Sequence, residues 1–347
     1  MTNVVSAKDR RSAASINTYS AMESDRSNAV RMPGATNHRT GCQDRATAGC
    51  SRMIELSNSD VSVIILTKNS ARTIERCVRS VRTESPGEII AVDARSTDRT
   101  LEILTRYGVR ILVDEIGSLA YSRQIGVEAA RGTYVMFVDS DVVLTHGCVR
   151  RLREDLEKYA WSGIHARILS PENASYWQRG EDRNFLLYFN RVGARARIGM
   201  SAALFRRRVL LEYPFDPSFR EASEDMDLCH RLARGGHALG VDNAAAYHYH
   251  RQEFSAFVTQ RFLYGIGNAR YALKYGGVRT LFSPLLFAFS RTAHSATADN
   301  IVPLYIELLP YWFFSGAAQF FGSIVGLSRA RSKSNGPMSN AQAHSSL

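Results

Sequence analysis

Two carboxylates stand one residue apart, at Asp139 and Asp141, directly after the apolar run 134–138. That run is short, β-branched and aromatic, the pattern of a buried strand. Carboxylates inside such a strand would carry a heavy desolvation cost. At its carboxyl end they emerge where open α/β sheets bind ligands. Two hard oxygen ligands at this spacing suit a divalent cation that fills its other positions with water and phosphate oxygens. An Asp-x-Asp alone is equally the signature of an acidic turn, so its surroundings must decide. A second acidic group, Glu224, Asp225 and Asp227, opens a helical pattern, where the helix dipole by itself accounts for carboxylates. His248 and His250 would share one face of a strand. Taken alone, such a pair on an aromatic strand is commonly structural.

The elements that must position these groups begin at residue 60. Residues 60–66 read as a strongly apolar strand ending in Thr67, Lys68 and Asn69. Ser70 can cap a helix whose apolar positions Ile74, Val78 and Val81 recur at i, i+4, i+7. After the Pro86-Gly87 turn, a second strand over 88–92 ends at Asp93. Ser96, Thr97 and Asp98 supply helix-start chemistry for Leu101, Leu104 and Tyr107, and Gly108 stops that helix. A third strand over 109–113 ends at Asp114, read as a solvated strand end. A helix over 119–130 then leads through Gly132 into the strand before Asp139. This alternation predicts an α/β fold with a mostly parallel sheet flanked by helices. Asn69, Asp93, Asp114 and Asp139 all arrive at one carboxyl edge. That edge suggests a nucleotide site, but no G-x-G-x-x-G follows the first strand and no P-loop motif occurs. A classical dinucleotide oxidoreductase and a P-loop NTPase are thereby disfavoured. A receiver-like signalling domain does not accommodate the roughly hundred residues that follow.

In order and spacing, three motifs carry a resemblance: Thr67-Lys68-Asn69 after the first strand, Asp93-Ala94-Arg95-Ser96-Thr97-Asp98, and Asp139-Ser140-Asp141. It continues through Gly199-Met200-Ser201-Ala202-Ala203, Phe215-Asp216-Pro217 and Ser223-Glu224-Asp225-Met226-Asp227, and ends near His248 and His250. Over about residues 60 to 270 the chain resembles family 2 glycosyltransferases with the GT-A fold. One departure is Asp93-Ala94-Arg95-Ser96, where such proteins often have Asp-Asp-Gly-Ser or Asp-Ser-Gly-Ser. The arginine adds a cation near the base or ribose and bears on donor identity.

The resemblance implies the following roles. Asp139 and Asp141 hold Mg²⁺ or Mn²⁺ on the donor diphosphate, with Asp141 the more direct ligand, Asp139 also facing the ribose, and His248 completing the site. Asp93 reads the base, with Thr67 and Asn69 beside it; a turn cap is its alternative. Asp225 accepts the acceptor hydroxyl's proton as general base, which makes the displacement inverting. Gly199, Ser201 and Glu224 border the donor sugar and acceptor, although a tight strand equally explains 199–203. Arg261, in a helical stretch, can clasp the diphosphate or lie on a solvated face. The donor is a UDP-, GDP- or dTDP-sugar, and the acceptor a saccharide or lipid-linked glycan. Two alternatives stand beside this reading: a sugar-nucleotide pyrophosphorylase, disfavoured by the lack of a Gly-rich basic loop after the first strand, and a non-catalytic sugar-nucleotide-binding scaffold, disfavoured by intact Asp139, Asp141 and Asp225.

Bulk properties fit this division of labour. The 347 residues carry a net charge of +11. No nucleic-acid-binding motif accompanies the basic runs, so diphosphate and anionic lipid are the expected partners, not nucleic acid. The five cysteines form no C-x-x-C pair, which indicates a reducing compartment and no structural zinc. Residues 1–58 are rich in Ser, Thr, Asn and Arg without apolar period, and are expected to be a disordered tail with no secretory signal. Translation from Met53 would remove most of it. The catalytic domain is expected over 59–275, an apolar helical region over 276–330, and a disordered tail over 331–347. Within that region, 301–327 is long enough for one span of ~20 residues, but is interrupted by Pro303, Pro310 and Gly316. Arg329, Arg331 and Lys333 favour a cytoplasmic end. A segment lying in the interface, or re-entering with 281–290, reconciles this with a cytoplasmic catalytic domain at the inner face of the cell membrane. A helical subdomain packed on the catalytic sheet is the soluble alternative.

Overall fold

The computed structural model describes residues 58–277, 281 and 307–334. Most of the expected N-terminal tail, the stretches 278–280 and 282–306, and the residues after 334 lie outside the described residues; residues 331–334 of the expected disordered tail are helical. The unit described here falls within residues 55–347.

After a 3₁₀ turn at Asn58–Asp60, the elements run β1 (Val61–Thr67), α1 (Ile74–Thr83), β2 (Glu88–Asp93), α2 (Thr100–Arg106), β3 (Arg110–Val113), α3 (Leu119–Ala129) and β4 (Tyr134–Asp139). The sequence reading placed these to within a few residues. Then come β5 (Val142–Leu144), α4 (Cys148–Lys158), β6 (Gly163–Leu169), α5 (Tyr176–Tyr188), β7 (Gly193–Arg195), β8 (Ala202–Arg206), α6 (Arg207–Glu212), α7 (Glu224–Arg234), β9 (Leu239–His248), α8 (Phe254–Tyr275) and α9 (Leu309–Ser334).

The sheet order is β3-β2-β1-β4-β8-β6-β9-β5, with β7 also on β9. From β3 to β4 every pairing is parallel, as the alternation requires. Beyond β4 the sheet turns mixed. β8 runs antiparallel to β4 and to β6, β6 is parallel to β9, and β5 and β7 are antiparallel to β9. Side chains of β1 divide by parity. Val61, Val63 and Ile65 pack with α1, α2 and α4, while Ile64 and Leu66 pack with α3, α6 and α7. Both faces are therefore buried, which explains why these strands are continuous apolar runs. Cys77, Cys148 and Cys229 are buried free thiols within helices.

Two local expectations are corrected. Ser70 does not cap α1 with its side chain; its Oγ pairs with Ser140 Oγ at 2.8 Å, while its carbonyl accepts from the amides of Thr73 and Ile74. Asp114 is not a solvated strand end. It is buried and accepts from the amides of Ile116, Gly117 and Ser118 and from Ser122 Oγ. Burial alone would raise its pKa, but these donors outweigh it and hold the carboxyl below its usual range. Asp114 thus fixes the entry to α3.

The C-terminal region packs as a helix pair. Gly265 of α8 and Gly322 of α9 let the two backbones meet. A Cβ on Gly322 would collide with the Phe262 carbonyl oxygen, and one on Gly265 with that of Gln319. Aromatic side chains of α9, Tyr311 and Trp312, join Phe257 of α8 and Trp177 of α5 in a separate cluster. Gly322→Val is expected to cost about 1–3 kcal/mol by overpacking this crossing, read as a lower urea midpoint. An unchanged midpoint would show that the close approach is not needed. Among the described residues, no helix is long and apolar enough to cross a membrane.

Candidate active site

Strand register gathers the carboxyl-edge residues. Thr67 is opposite Asp93, and Leu66 is opposite Asp139. Asp93 is nearly inaccessible. It accepts from Thr67 Oγ1 at 2.9 Å and from the amide and hydroxyl of Ser96. Asn69 adopts a left-handed backbone with φ 49°, its Oδ1 accepting from the Thr97 amide at 2.8 Å. Thr67, Asn69 and Asp93 therefore form one rigid corner, to which Arg95, also left-handed and paired with Glu115, is attached.

Asp139 ends β4 and Asp141 precedes β5, so the two flank a tight turn at Ser140. The antiparallel pairing of β5 with β9 sets Val142 opposite His248, and the Tyr249 amide donates to the Asp141 carbonyl at 2.9 Å. His248 Nε2 reaches 3.0 Å from Asp141 Oδ1. Ligand atoms of Asp139, Asp141 and His248 all lie within 4.8 Å of one another. Burial would raise the Asp141 pKa, but charge and hydrogen bonding from His248 pull it down to about 2. Burial and the neighbouring Asp141 charge leave Asp139 raised, against the opposing pull of Arg123. Two crowded carboxylates and an imidazole nitrogen match the donor set of a divalent cation such as Mn²⁺, or of Mg²⁺ through the oxygens. His250 lies just beyond β9 rather than in it. Its ring lies against His248, tilted by 35° with centroids 3.8 Å apart, and its carbonyl accepts from Gln178 Nε2 at 2.9 Å. It backs His248.

The second acidic group is at the start of α7. Its three carboxylates go separate ways. Asp227 is fully buried; it ties α7 to α8 through Lys274 and Tyr275 and also accepts from Arg231 one turn further along α7. Glu224 is buried against Arg123 of α3. Burial pushes Glu224 up to about 7 despite that cation. Asp225 stays half-buried, with Oδ1 accepting from the Met226 amide at 2.7 Å. Its pKa is raised by burial, with Arg123 and Arg197 opposing, and its own charge helps to raise that of Asp139. Asp225 and the metal-type cluster thus share one electrostatic site.

Arg123 is the residue that sequence reasoning missed. It is buried, bonded to Glu224 and 3.8 Å from Asp139 Oδ1, and so joins the two acidic groups. Its one local signal was an arginine on the apolar side of the 119–130 helix. His165 was missed too; fully buried, it places Nε2 3.3 Å from Ser201 Oγ. Ser201 lies beside the site, its carbonyl accepting from the Asp139 amide at 3.1 Å. Gly199 precedes it, next to buried Met200. The residues after Ser201 form the ordinary strand β8. Arg261 is on neither a solvated face nor an open pocket wall. Its guanidinium is buried in an ion pair with Glu181 of α5 and also donates to Tyr311 of α9.

Residues 62–213 match the profile of Glycosyl transferase family 2. The matched stretch, 152 of the 347 residues, is similar to this family. That span holds the corner around Asp93, the Asp139–Asp141 turn, Arg123 and Ser201, while α7 and His248 lie beyond it. The family match and the sheet agree on a GT-A-like fold, an α/β sheet with helices on both faces. Among curated proteins, the chain is 36% identical over 105 residues to the uncharacterized glycosyltransferase EpsJ of Bacillus subtilis (strain 168), covering 28% of this chain and 30% of that protein. It is 23% identical over 228 residues to an uncharacterized glycosyltransferase of Rickettsia bellii (strain RML369-C), covering 65% of this chain and 71% of that protein. The crystal structure of S. aureus TarS 1-349 superposes with TM-score 0.44 at 16% identity, over 79% of this chain and 91% of that one.

Proposed function

We propose that this chain transfers a sugar from a nucleotide-diphosphate donor to a saccharide or lipid-linked acceptor, in one inverting displacement with Asp225 as general base. The observation that carries this reading is the convergence of Asp139, Asp141 and His248 at one sheet edge, with the start of α7, where Asp225 stands, joined to Asp139 through Glu224 and Arg123. Thr67, Asn69 and Asp93 form the wall for the nucleoside, the hydrogen-bonded Asp93 corner fixing its shape. Asp139, Asp141 and His248 would hold Mg²⁺ or Mn²⁺, which when bound supplies positive charge to the diphosphate leaving group. Gly199, Ser201 and Glu224 border the sugar and acceptor. Asp225 takes the proton of the acceptor hydroxyl. That oxygen bonds to the anomeric carbon as the bond to the diphosphate breaks, the diphosphate leaving with the electron pair. Arg261 would have to leave Glu181 to reach the diphosphate. The charge of Arg251 already acts on Asp141 and His248, making it the readier cation.

Residues 59–275 make the catalytic unit in this reading, and the helical region over 276–330 touches the inner face of the cell membrane peripherally. Exposed Phe313, Phe321 and Ile324 on α9, followed by Arg329 and Arg331, support such contact.

Thermal unfolding against UDP-, GDP- and dTDP-sugars, each with Mn²⁺ or with EDTA, tests the donor site. One nucleotide class is expected to stabilise the fold by roughly 2.7 kcal/mol at ~100 times its dissociation constant. The shift should vanish in EDTA and in Asp141→Ala. If no donor produces a metal-dependent shift in a folded sample, the reading fails.

A further inference from the structure

Arginines at the start of α1 and in the turn before it have no part in the reaction proposed above. Arg72, Arg76 and Arg79 line a concavity of about 460 Å³ that also includes Val143 of β5. Like charges three or four residues apart on a helix destabilise it. Among the described residues, no salt bridge offsets these three. The acidic group in the concavity, Glu75, accepts from the Tyr107 hydroxyl at 2.9 Å. The Arg76 guanidinium lies 3.9 Å over the Tyr249 ring, which holds its plane, and among the described residues one contact, to the Arg72 carbonyl at 3.3 Å, engages its N–H groups. A stacked guanidinium with free N–H groups is preorganised for a carboxylate or phosphate.

Two links tie this concavity to the Asp139–Asp141 turn. The Tyr249 amide donates to the Asp141 carbonyl. Ser70, two residues before Arg72, pairs its hydroxyl with Ser140 between the two aspartates. The arginine row thus begins beside the candidate metal site and leads away from it over about two helical turns.

We infer that this concavity is a second binding site, for the anionic groups of an acidic glycan whose acceptor end reaches the Asp139–Asp141 edge. The acceptor role rests on the transferase reading; the binding site does not. Successive carboxylates or phosphates on an extended chain match a row of guanidiniums, whereas a single small anion would need only one. A flat headgroup layer would meet the same charges but makes no use of a concavity linked to the Asp139–Asp141 turn through Ser70 and Tyr249.

The test is equilibrium binding of the full chain to two fluorescent probes, a trigalacturonate and a short glycerol-phosphate oligomer, with the methyl-esterified trigalacturonate as neutral control. At least one anionic probe is expected to bind, the neutral one far more weakly. The double variant Arg76→Gln/Arg79→Gln should weaken that binding by about 10-fold to 100-fold. Asp141→Ala and EDTA should leave it unchanged. Equal affinity in the double variant overturns the inference, as does binding of neither anionic probe or displacement of the probe by UDP with Mn²⁺. Arginine-dependent sedimentation with phosphatidylserine vesicles, without glycan binding, would overturn it in favour of a lipid surface. Metal-dependent donor stabilisation, measured on the same double variant, reports separately on the transferase reading.

Discussion

Asp225→Asn is expected to lower sugar transfer by about 10²–10⁴-fold while leaving nucleotide binding intact. Asparagine keeps the size of the side chain and can still accept from the Met226 amide, as Asp225 does at 2.7 Å. What it loses is the ability to take a proton. The pH profile gives an independent check. Burial raises the Asp225 pKa, and Arg123 and Arg197 only partly oppose it. A general base works in its ionised form, so activity should fall as pH drops through that raised pKa. The acid limb should therefore lie above the ordinary carboxylate value of about 4. Steady-state kinetics across pH, with donor binding followed by thermal shift, would separate the two effects. Transfer at the wild-type rate in Asp225→Asn would remove Asp225 from the base role.

Removal of Arg123 should be felt in stability and in the pH profile together. Arg123→Met leaves Glu224 buried without its cation, and breaking a buried pair from one side costs about 3–5 kcal/mol. Glu224 Oε2 already lacks a hydrogen-bond partner, so little else can compensate. Urea unfolding should show this loss, and Arg123→Met/Glu224→Gln should recover much of it by removing the stranded charge. The Arg123 charge also opposes the upward shifts of Asp139, Glu224 and Asp225. Its loss should move the acid limb of activity to higher pH. A single variant as stable as the wild type, with an unmoved limb, would mean that Arg123 is not the link between the two acidic groups.

The first half of the sheet was legible because its signals are local. An apolar run, a polar residue at its end, a helix-start cluster and a glycine stop recur between residues 60 and 139. Right-handed crossovers then leave few alternatives for the sheet. The Asp139–Asp141 turn could be read for the same reason: only the end of a buried strand tolerates those carboxylates. The strand order beyond β4 was less visible. β5 and β7 are three residues each, too short for a periodic pattern. Asp114 was misjudged because a strand-end carboxylate looks the same in sequence whether water or four protein donors surround it.

The sequence by itself determined the parallel character of the first four strands, the carboxyl edge and the residue types able to hold a divalent cation, since hydrophobic periodicity and turn chemistry act over a few residues; the order β3-β2-β1-β4 came from the tertiary structure. Tertiary structure decided which charges meet. Arg123 and Glu224 are 101 residues apart and share a buried site only because α3 and α7 lie on the same face of the sheet. His248 faces Asp141 because β5 pairs with β9. Arg261 turns toward Glu181 and Tyr311 because α8 packs against both α5 and α9. Each pairing depends on which elements become neighbours when apolar faces are buried, and a buried charge then takes whatever partner that packing brings within reach.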